Sequence, residues 1–312
     1  MAGASTGPRG SRCAGEVTFR PAEAADLPAL FPVFRAALNS YLEPAGQPLL
    51  PDEDDQQPGY RRFLEHDAER FWVAERDGAL VAYGNGLLRG YWWFLSNLFV
   101  LPAAQGLGVG GRLLELAATG APARAVRATI TDSIQPVSNT LYARRGMLPR
   151  EVLVGFTGRP REDLERPRLG RLQPEPLTVT AVSELSVIDA AASGVDRTVD
   201  HEFYLGVGGR RGWLFRRGGR AVAYAMVRKD GWVGPLAALR AADVEPVTRF
   251  ALAELVEEGA EKIKAGVTGR CEGAQRAFWD AGLVFSESAG LLLSSRPFGH
   301  LDCYLPAGYG TF

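Results

Sequence analysis

The chain has 312 residues, of which 46% are apolar and 23% charged, and its formal net charge is −1. It is long enough to bury a sizeable core and to form two domains, and its near-neutral charge excludes a bulk electrostatic attraction to nucleic acid or to an anionic membrane. No apolar run approaches the ~18 residues that a membrane-spanning helix needs, so no membrane association is expected.

The first half of the sequence predicts an alternation of strands and helices. Residues 1–15 contain Arg9 and Arg12 but no apolar core, so we expect a disordered leader and no signal peptide. Alternating apolar residues then indicate a first strand, and apolar residues at helical spacing indicate a helix that begins after Asp26. The elements predicted after an acidic loop at 43–59 are a short helix (60–69), two strands joined by a turn at Asp77-Gly78, a strand (91–101), a glycine-rich turn with a helix, a strand (125–130), a helix (138–145) and a strand (152–156).

The stretch Ser96–Leu114 carries the clearest chemical signal. Residues 97–101 form a short apolar run that ends at Pro102, as expected of a buried strand. A glycine-rich turn, Gln105–Gly111, follows, and apolar residues at helical spacing begin directly after it. A strand, a glycine turn and a helix in this order direct free backbone N–H groups and the positive end of a helix dipole into one concavity. The stretch therefore predicts a phosphate-binding site.

Two phosphate-binding motifs fit this turn. Gly106, Gly108 and Gly111 satisfy G-x-G-x-x-G, and Asp132 lies about 20 residues further on, as a dinucleotide-binding fingerprint requires. Such a fingerprint turns directly off its strand and opens a βαβ unit. Here residues 102–105 intervene, and hairpin-like sequence comes first. A nicotinamide-dependent enzyme is therefore the weaker alternative.

The same turn also satisfies Q-x-x-G-x-G through Gln105, Gly108 and Gly110, after a strand that ends in Val100-Leu101-Pro102. This combination resembles the pyrophosphate-binding signature of the GNAT superfamily, the acyl-CoA-dependent N-acyltransferases. The resemblance covers about residues 16–158. It implies an α/β (α+β) fold, with a mixed, mostly antiparallel twisted sheet flanked by helices, and acetyl-CoA as the acyl donor substrate.

The second half of the sequence repeats the first, which indicates a tandem duplication. A proline-rich and charged linker at 159–176 separates an expected N-terminal GNAT domain (16–158) from an expected C-terminal GNAT-like domain (177–312). The second copy has no glycine between Gly234 and Gly259, so bulky side chains stand where a pyrophosphate would approach the backbone. We expect it to be degenerate and without a cofactor site. The repeated residues, at a constant offset of 141, are Trp72 and Trp213, Gly78 and Gly219, and residues 81–83 and 222–224.

The resemblance also implies roles for the central stretch. Backbone amides of the glycine turn would hold the pyrophosphate, Arg112 would add positive charge, and the backbone of Leu98–Val100 would bond the pantetheine arm as a neighbouring strand does. An amide there would face the thioester oxygen and stabilise an oxyanion. The residues assigned to cofactor binding are Leu98, Phe99, Val100, Gln105, Gly106, Leu107, Gly108, Val109, Gly110, Gly111, Arg112, Gln135, Asn139 and Tyr142.

Tyr142 is the candidate general acid. Members of the family carry an Asn about seven residues before a Tyr and Gly-Phe four residues after it, whereas this chain has Gln135 and Gly146-Met147. A phenol held beside the sulfur can protonate the leaving thiolate. The second copy has Phe278 at the corresponding position, and the missing hydroxyl is what a catalytic role predicts. The alternative is a half-buried amphipathic tyrosine without a catalytic role, and Asn139 is an alternative source of the amide contact.

The general base is unassigned by the sequence, because the strand at 91–101 contains no Asp or Glu. Glu43 and Asp52–Asp55 lie where the family's acceptor loop lies and could attract a cationic amine, although a solvated loop is the more ordinary interpretation. Asp132 and Ser133, which end the strand before the Tyr142 helix, are similarly placed.

Other features give weaker signals. Trp92 and Trp93 could line an acceptor pocket, although strand neighbours point to opposite faces and one of them must face the core. The cluster Asp200-His201-Glu202 is expected to be a polar helix start, and no spacing predicts a metal site. The three cysteines are widely spaced, which argues against a disulfide framework and favours a reducing cytoplasm. The tail at 296–304 could cross the domain interface.

Together these features predict a cytoplasmic N-acetyltransferase that moves an acetyl group directly from acetyl-CoA to an amine of a small molecule or peptide, with no metal. Direct transfer is expected because no Cys or Ser stands with a His and an acid in a nucleophile arrangement. A non-catalytic acyl-CoA-binding module with the same fold is the alternative. The sequence identifies neither the acceptor nor the oligomeric state.

Overall fold

The computed structural model describes residues 15–52 and 57–312. The predicted leader up to residue 14, Cys13 and the acidic residues 53–55 lie outside the described residues. The elements of the first half confirm the predicted order of strands and helices: β1 (Thr18–Pro21), α1 (Leu27–Leu42), α2 (Gln57–His66), β2 (Phe71–Arg76), β3 (Ala79–Arg89), β4 (Trp92–Val100), α3 (Val109–Ala117), β5 (Val126–Asp132), α4 (Pro136–Arg144) and β6 (Leu148–Gly158).

The second half repeats this order, as the duplication predicts. Its elements are β7 (Gln173–Pro176), α5 (Val182–Ser193), α6 (Thr198–Leu205), β8 (Arg210–Arg217), β9 (Arg220–Arg228), β10 (Trp232–Ala238), α7 (Ala241–Glu257), β11 (Ile263–Thr268), α8 (Glu272–Asp280), β12 (Val284–Ser294) and a short additional strand, β13 (Tyr304–Leu305).

Local sequence explains the hairpin between β2 and β3. Asp77 and Gly78 have φ angles of 54° and 75°, and positive φ at both central residues belongs to the tight turn whose twist matches the flanking strands. Asp26 immediately precedes α1, and its carboxylate accepts a hydrogen bond from the Glu23 amide at 2.8 Å. Both signals were readable in the sequence.

The strands form one thirteen-stranded sheet, and its order is β1-β2-β3-β4-β5-β12-β6-β11-β10-β9-β8-β7, with β13 beside β10. When β1–β6 are matched with β7–β12, the order reads the same from either end, so the two halves are related by a pseudo-two-fold axis between β6 and β12. Each half places its last long strand in the other half's sheet. β6 pairs with β11 and β12, and β12 lies between β5 and β6.

The structure confirms the expected fold, in which each half contributes a mixed sheet flanked by helices. The exchange of β6 and β12 adds that the two sheets are joined into one. The sequence predicts β6 as the closing strand of the first half, but the strand next to β5 is β12. Any strand of suitable length can satisfy the unpaired N–H and C=O groups of an open sheet edge, so the sequence of β6 alone does not reveal its partner. The division at 159–176 remains a proposal about chain segments, since the halves interleave in space.

The exchange gives a testable expectation for the isolated first half. A fragment of residues 16–158 lacks both strands that pair with β6 and leaves the edge of β5 open, so we expect it to be aggregated or unfolded by size-exclusion chromatography and circular dichroism. Co-expression with residues 159–312 should restore a soluble complex. A monomeric fragment that melts cooperatively near the temperature of the full chain would contradict this expectation.

A buried group of charged residues joins the two halves. The Arg89 guanidinium on β3 donates to both carboxylate oxygens of Asp200 on α6, at 3.0 and 2.8 Å, and to both of Asp67, at 3.0 and 3.1 Å. Arg62 on α2 lies 3.1 Å from the same Asp200 carboxylate. All four side chains are buried. The contact therefore ties α6 of the second half to β3 and α2 of the first.

Within the described residues no helix is both long and apolar enough to cross a membrane, and no group of His, Cys, Asp and Glu is arranged to hold a metal ion. Cys271 and Cys303 are buried free thiols.

Candidate active site

The candidate site is a gap in the sheet between β4 and β5. These parallel strands pair only from Trp92 with Val126 to Leu95 with Thr129, and then they separate. The register between β4 and β3 shifts at the same place, with Ser96 as the extra residue of a β-bulge. A bulge bends its strand, and here the bend carries the end of β4 away from β5. A cavity of about 970 Å³ fills the gap.

The open edge of β4 presents free backbone groups to this cavity. The amide of Leu101 donates to Val81 on β3 at 2.9 Å, and alternate residues of a strand direct their backbone groups to opposite edges. The backbone groups of Leu98 and Val100 therefore point toward the gap. The Val100 carbonyl accepts a hydrogen bond from the Gln105 side chain at 3.0 Å. Leu98, Phe99 and Val100, for which the sequence predicts contacts with pantetheine, all line the cavity.

The glycine turn closes one end of the cavity. Gly106 and Gly108 have φ angles of 76° and 80°, which favour glycine, and Gly108 immediately precedes α3. The Gln105 amide donates to the Pro102 carbonyl at 3.2 Å. In the described part of the chain, no amide from Gly106 to Gly111 has a backbone or side-chain acceptor. A run of free N–H groups at a helix N-terminus suits an anion.

The side chains of Leu107, in the turn, and of Arg112, directly after it, do not line the cavity. Leu107 is 59% exposed and does not line the cavity. Arg112 is exposed on α3, where its guanidinium lies 3.4 Å from the Glu115 carboxylate. Neither side chain is therefore assigned to the cavity wall, although the Leu107 backbone belongs to the turn and Arg112 follows the turn in α3.

Tyr142 lines the cavity from α4 and is 5% exposed. Burial raises the pKa of its hydroxyl, the Ser138 side chain opposes that rise, and Tyr41 adds to it. The hydroxyl therefore keeps its proton at neutral pH, which suits a proton donor and not a base. Gly146, predicted four residues after it, has φ of 82° and follows the helix end.

Gln135 and Asn139 have different surroundings. Gln135 lines the cavity, and its side-chain carbonyl accepts a hydrogen bond from the Val137 amide at 3.2 Å, which caps α4. The Asn139 amide nitrogen donates to the carbonyls of Asp132 and Ser133, at 3.1 and 3.4 Å. Asn139 does not line the cavity. Its side chain fixes the end of β5 and is not carried into the proposed binding site.

The cavity is also lined by residues that the sequence did not single out. Tyr41 comes from α1, Ser286 and Ser288 come from β12, and Tyr309 comes from the tail after β13. They are distant in sequence from the motif, and the strand exchange brings β12 to this wall. No pattern in the sequence could have indicated them.

Asp132 stands among these residues at the end of β5. Its carboxylate accepts hydrogen bonds from the Ile134 amide at 3.2 Å and from the Ser288 hydroxyl at 3.5 Å. Burial raises the pKa of this carboxyl, and the two hydrogen bonds only partly oppose the rise. Among the described residues that line the cavity, Asp132 is the sole acid, and it forms no ion pair.

The corresponding gap in the second half is closed. The pairing of β10 with β9 corresponds to that of β4 with β3, so Leu236 and Ala237 take the places of Leu98 and Phe99. The strand β13 pairs with Leu236 and Ala237 and covers this edge. The helix α7 begins at Ala241, three residues after β10 ends, so no glycine loop intervenes. Glu245 in its first turns is paired with Arg249 and Arg276. The geometry supports the prediction that the second copy lacks a cofactor site.

Several predicted candidates do not reach the cavity. Trp92 and Trp93 are both buried in cores, so the expectation that one of them lines an acceptor pocket is wrong. Glu43 does not line the cavity, and Asp52 is paired with Arg35. His201 is fully buried, with Nε2 3.4 Å from the Asp189 carboxylate. As expected, the tail crosses the interface, since the Phe298 ring lies 6.2 Å from that of Trp92.

Comparisons with known proteins identify similar sequences and similar folds. Residues 34–147 match the family described as Acetyltransferase (GNAT) family. A putative acetyltransferase from Pyrococcus horikoshii has a similar structure, with a TM-score of 0.74, 16% identity, and coverage of 99% of this chain and 100% of that chain. A GCN5-related N-acetyltransferase from Sphaerobacter thermophilus has a TM-score of 0.63 and 16% identity, with coverage of 92% of this chain and 98% of that chain. A tandem GNAT protein from the clavulanic acid biosynthesis pathway has a TM-score of 0.55 and 14% identity, with coverage of 90% of this chain and 99% of that chain. No curated protein matches the chain in sequence.

Proposed function

We propose that the first half of this chain is a GNAT acetyltransferase domain that transfers an acetyl group from acetyl-CoA to an amine, since residues 34–147 match that family and the whole chain has the fold of a tandem GNAT protein. The observation that carries the proposal is the open gap between β4 and β5, with free amides at one end and Tyr142 in its wall. The second half contributes a wall of the cavity and binds no donor of its own.

The residues present fit a pyrophosphate and its pantetheine arm. The free amides from Gly106 to Gly111 would hold the pyrophosphate, and Gly108 leaves open space that a side chain would occupy, since nothing lies within 4 Å of an added Cβ. The backbone groups of Leu98 and Val100 would bond the pantetheine amides in the manner of a neighbouring strand. An amide of this edge would stabilise the oxyanion that forms at the thioester carbon.

Tyr142 would act as the general acid. The amine nitrogen forms a bond to the thioester carbon, the C–S bond then breaks, and the phenol gives its proton to the departing sulfur. Because the pKa of this hydroxyl is raised by burial, the proton is present at neutral pH. The Gln135 side chain would stay in its capping role at the start of α4.

Tyr142→Phe is expected to lower kcat by about 10²–10⁴-fold, since the thiolate then leaves without a proton donor. The affinity for acetyl-CoA, measured by calorimetry, should change less than about twofold, because the ring that forms the cavity wall remains. Release of CoA in the presence of primary amines measures turnover. Tyr91→Phe, at an exposed position outside the cavity, is the matched control. Unchanged kcat in Tyr142→Phe would remove the tyrosine from the mechanism.

A non-catalytic acyl-CoA-binding module is the second candidate function, and the absence of an acidic residue from β4 is the observation that favours it. The two candidates differ in one measurement. Acetyl-CoA binding without CoA release over a broad panel of amines would establish the binding module, whereas CoA release that depends on both an amine and Tyr142 would establish the enzyme.

We also propose a cytoplasmic location and the segment boundaries 16–158, 159–176 and 177–312. The free thiols of Cys271 and Cys303 support a reducing compartment.

A further inference from the structure

The wall of the cavity contains a carboxylate that forms no ion pair within the described part of the chain. Asp132 is half-buried, receives only a neutral amide and a neutral hydroxyl, and has no cationic partner among the described residues. Withdrawing a carboxylate from water without pairing it is unfavourable, and groups perturbed in this way concentrate at functional sites. An acceptor with an ammonium group would supply the missing charge.

The second half provides a fixed wall beside this carboxylate. The Tyr309 ring lies against three glycines on adjacent strands: an added Cβ would meet ring or hydroxyl atoms of Tyr309 at 3.2 Å from Gly155, 3.6 Å from Gly266 and 3.1 Å from Gly290. The next residue is held by a hydrogen bond from the Ser96 hydroxyl to the Gly310 carbonyl, at 2.5 Å. Tyr309 therefore lies across β6, β11 and β12 and lines the cavity.

The remaining groups that face Asp132 are neutral. Tyr41 on α1 and Tyr309 in the tail both lie close enough that the carboxylate's charge adds to the effect of burial, which raises the pKa of Tyr41 to about 12 and raises that of Tyr309. Ser288 on β12 completes the surroundings. Arg144, the one described cation that lines the cavity, is exposed and forms no pair with Asp132. An acceptor carboxylate would thus add a second negative charge beside Asp132, which forms no ion pair among the described residues.

We propose that Asp132 binds the ammonium group of the acceptor and takes a proton from it, and that the acceptor is a primary amine with an uncharged aromatic or apolar body that packs against Tyr309. This inference rests on the proposed acetyltransferase function. Of the two protons that the nitrogen loses, one passes to Asp132 and then to solvent, and the other restores the Tyr142 hydroxyl after it has protonated the sulfur. Asp132 is then the base that β4 does not supply.

The test uses the full chain and three related probes: 2-phenylethylamine, phenylalanine, which adds a carboxylate, and 2-phenylethanol, which lacks the amine. We expect acetyl-CoA-dependent CoA release with 2-phenylethylamine alone. Asp132→Asn should lower kcat/KM for this amine by about 10²–10⁴-fold and abolish the rise of activity with pH that deprotonation of Asp132 produces. Asp132→Glu should restore part of the rate. Asp163→Asn, an exposed change in the linker, is the control.

Tyr309→Ala is expected to raise KM for the amine about tenfold, whereas Tyr309→Phe keeps the wall and should stay within about threefold of the parent chain. Retained kcat/KM in Asp132→Asn, or equal turnover of phenylalanine and 2-phenylethylamine, overturns the proposal. So does a parent chain that binds acetyl-CoA but acetylates none of the probes. Failure of the parent chain to bind acetyl-CoA in calorimetry is a separate result, which would overturn the proposed function itself. The melting temperature of Asp132→Asn should not fall, because the change removes an unpaired buried charge.

Discussion

Replacing Gly108 with glutamate is expected to raise the acetyl-CoA dissociation constant by about 100-fold or more. Gly108 has φ of 80° directly before α3, and the free amides around it are the proposed pyrophosphate site. A carboxylate placed there would both occupy the phosphate position and repel it. Loss of two charge-assisted hydrogen bonds, each worth about 1.5–3 kcal/mol, corresponds to an effect of this size. Calorimetric titration with acetyl-CoA measures it.

The matched control is Gly259→Glu. Gly259 also has φ of 80° and open space around it, but it follows α7 in the second half. It therefore reproduces the backbone strain and the added charge at a distance from the cavity, and acetyl-CoA binding should be unaffected. The parent chain should bind acetyl-CoA at about one site, because β13 closes the equivalent gap of the second half. Two sites would contradict that closure, and equal affinities of the two variants would contradict the placement of the pyrophosphate.

Asp200→Ala is expected to lower the free energy of unfolding by about 3–5 kcal/mol. The change leaves Arg62 without its carboxylate and leaves Arg89 with Asp67 as its remaining carboxylate partner, and removing one member of a buried ion pair strands an uncompensated charge. Since Asp200 lies on α6 and both arginines lie in the first half, the loss falls on the contact between halves. Urea denaturation followed by circular dichroism measures it. Arg159→Ala removes an exposed pair with Glu162 and should change stability by less than about 1 kcal/mol.

The same carboxylate gives a pH dependence. Burial acts to raise the pKa of Asp200, but Arg62 and Arg89 outweigh it, and the pKa in the folded protein is lowered. The stabilisation is therefore complete above the pKa of about 4 that an aspartate has in the unfolded chain, and it is lost as the pH falls below that value. The parent chain should lose stability between about pH 5 and pH 3, where an unfolded aspartate titrates, and it should do so more steeply than Asp200→Ala. Parallel curves for the two proteins would contradict this assignment.

Local signals allowed much of the fold to be predicted. The turn at Asp77-Gly78, the glycine turn at 105–111 and the constant offset between the halves each depend on residues that are close in the chain or repeated. Such signals report backbone conformations and element order. They identified the order of the elements along the chain, the duplication and the glycine turn that is the proposed pyrophosphate site.

The rest depends on contacts between distant segments. Tyr309 and Ser288 enter the cavity because of the strand exchange, and nothing near either residue in the sequence points to Asp132. Trp92 and Trp93 were expected to divide between core and pocket, but the wide sheet has packed layers on both faces, so both are buried. Asn139 bonds the end of β5, although the sequence suggested it as an alternative source of the amide contact.

The exchange of β6 and β12 also constrains how this gene can change. After a duplication, a copy that has lost its chemistry is ordinarily free to accumulate deletions. Here the copy without a binding gap supplies the strand that completes the sheet of the other copy, and it takes one in return. Selection on the second half is therefore expected to preserve strand length and edge pairing at 284–294 more strictly than the residues at 240–246, whose counterparts form the proposed donor site. The two halves are therefore expected to evolve as one unit, because each depends on a strand that the other supplies.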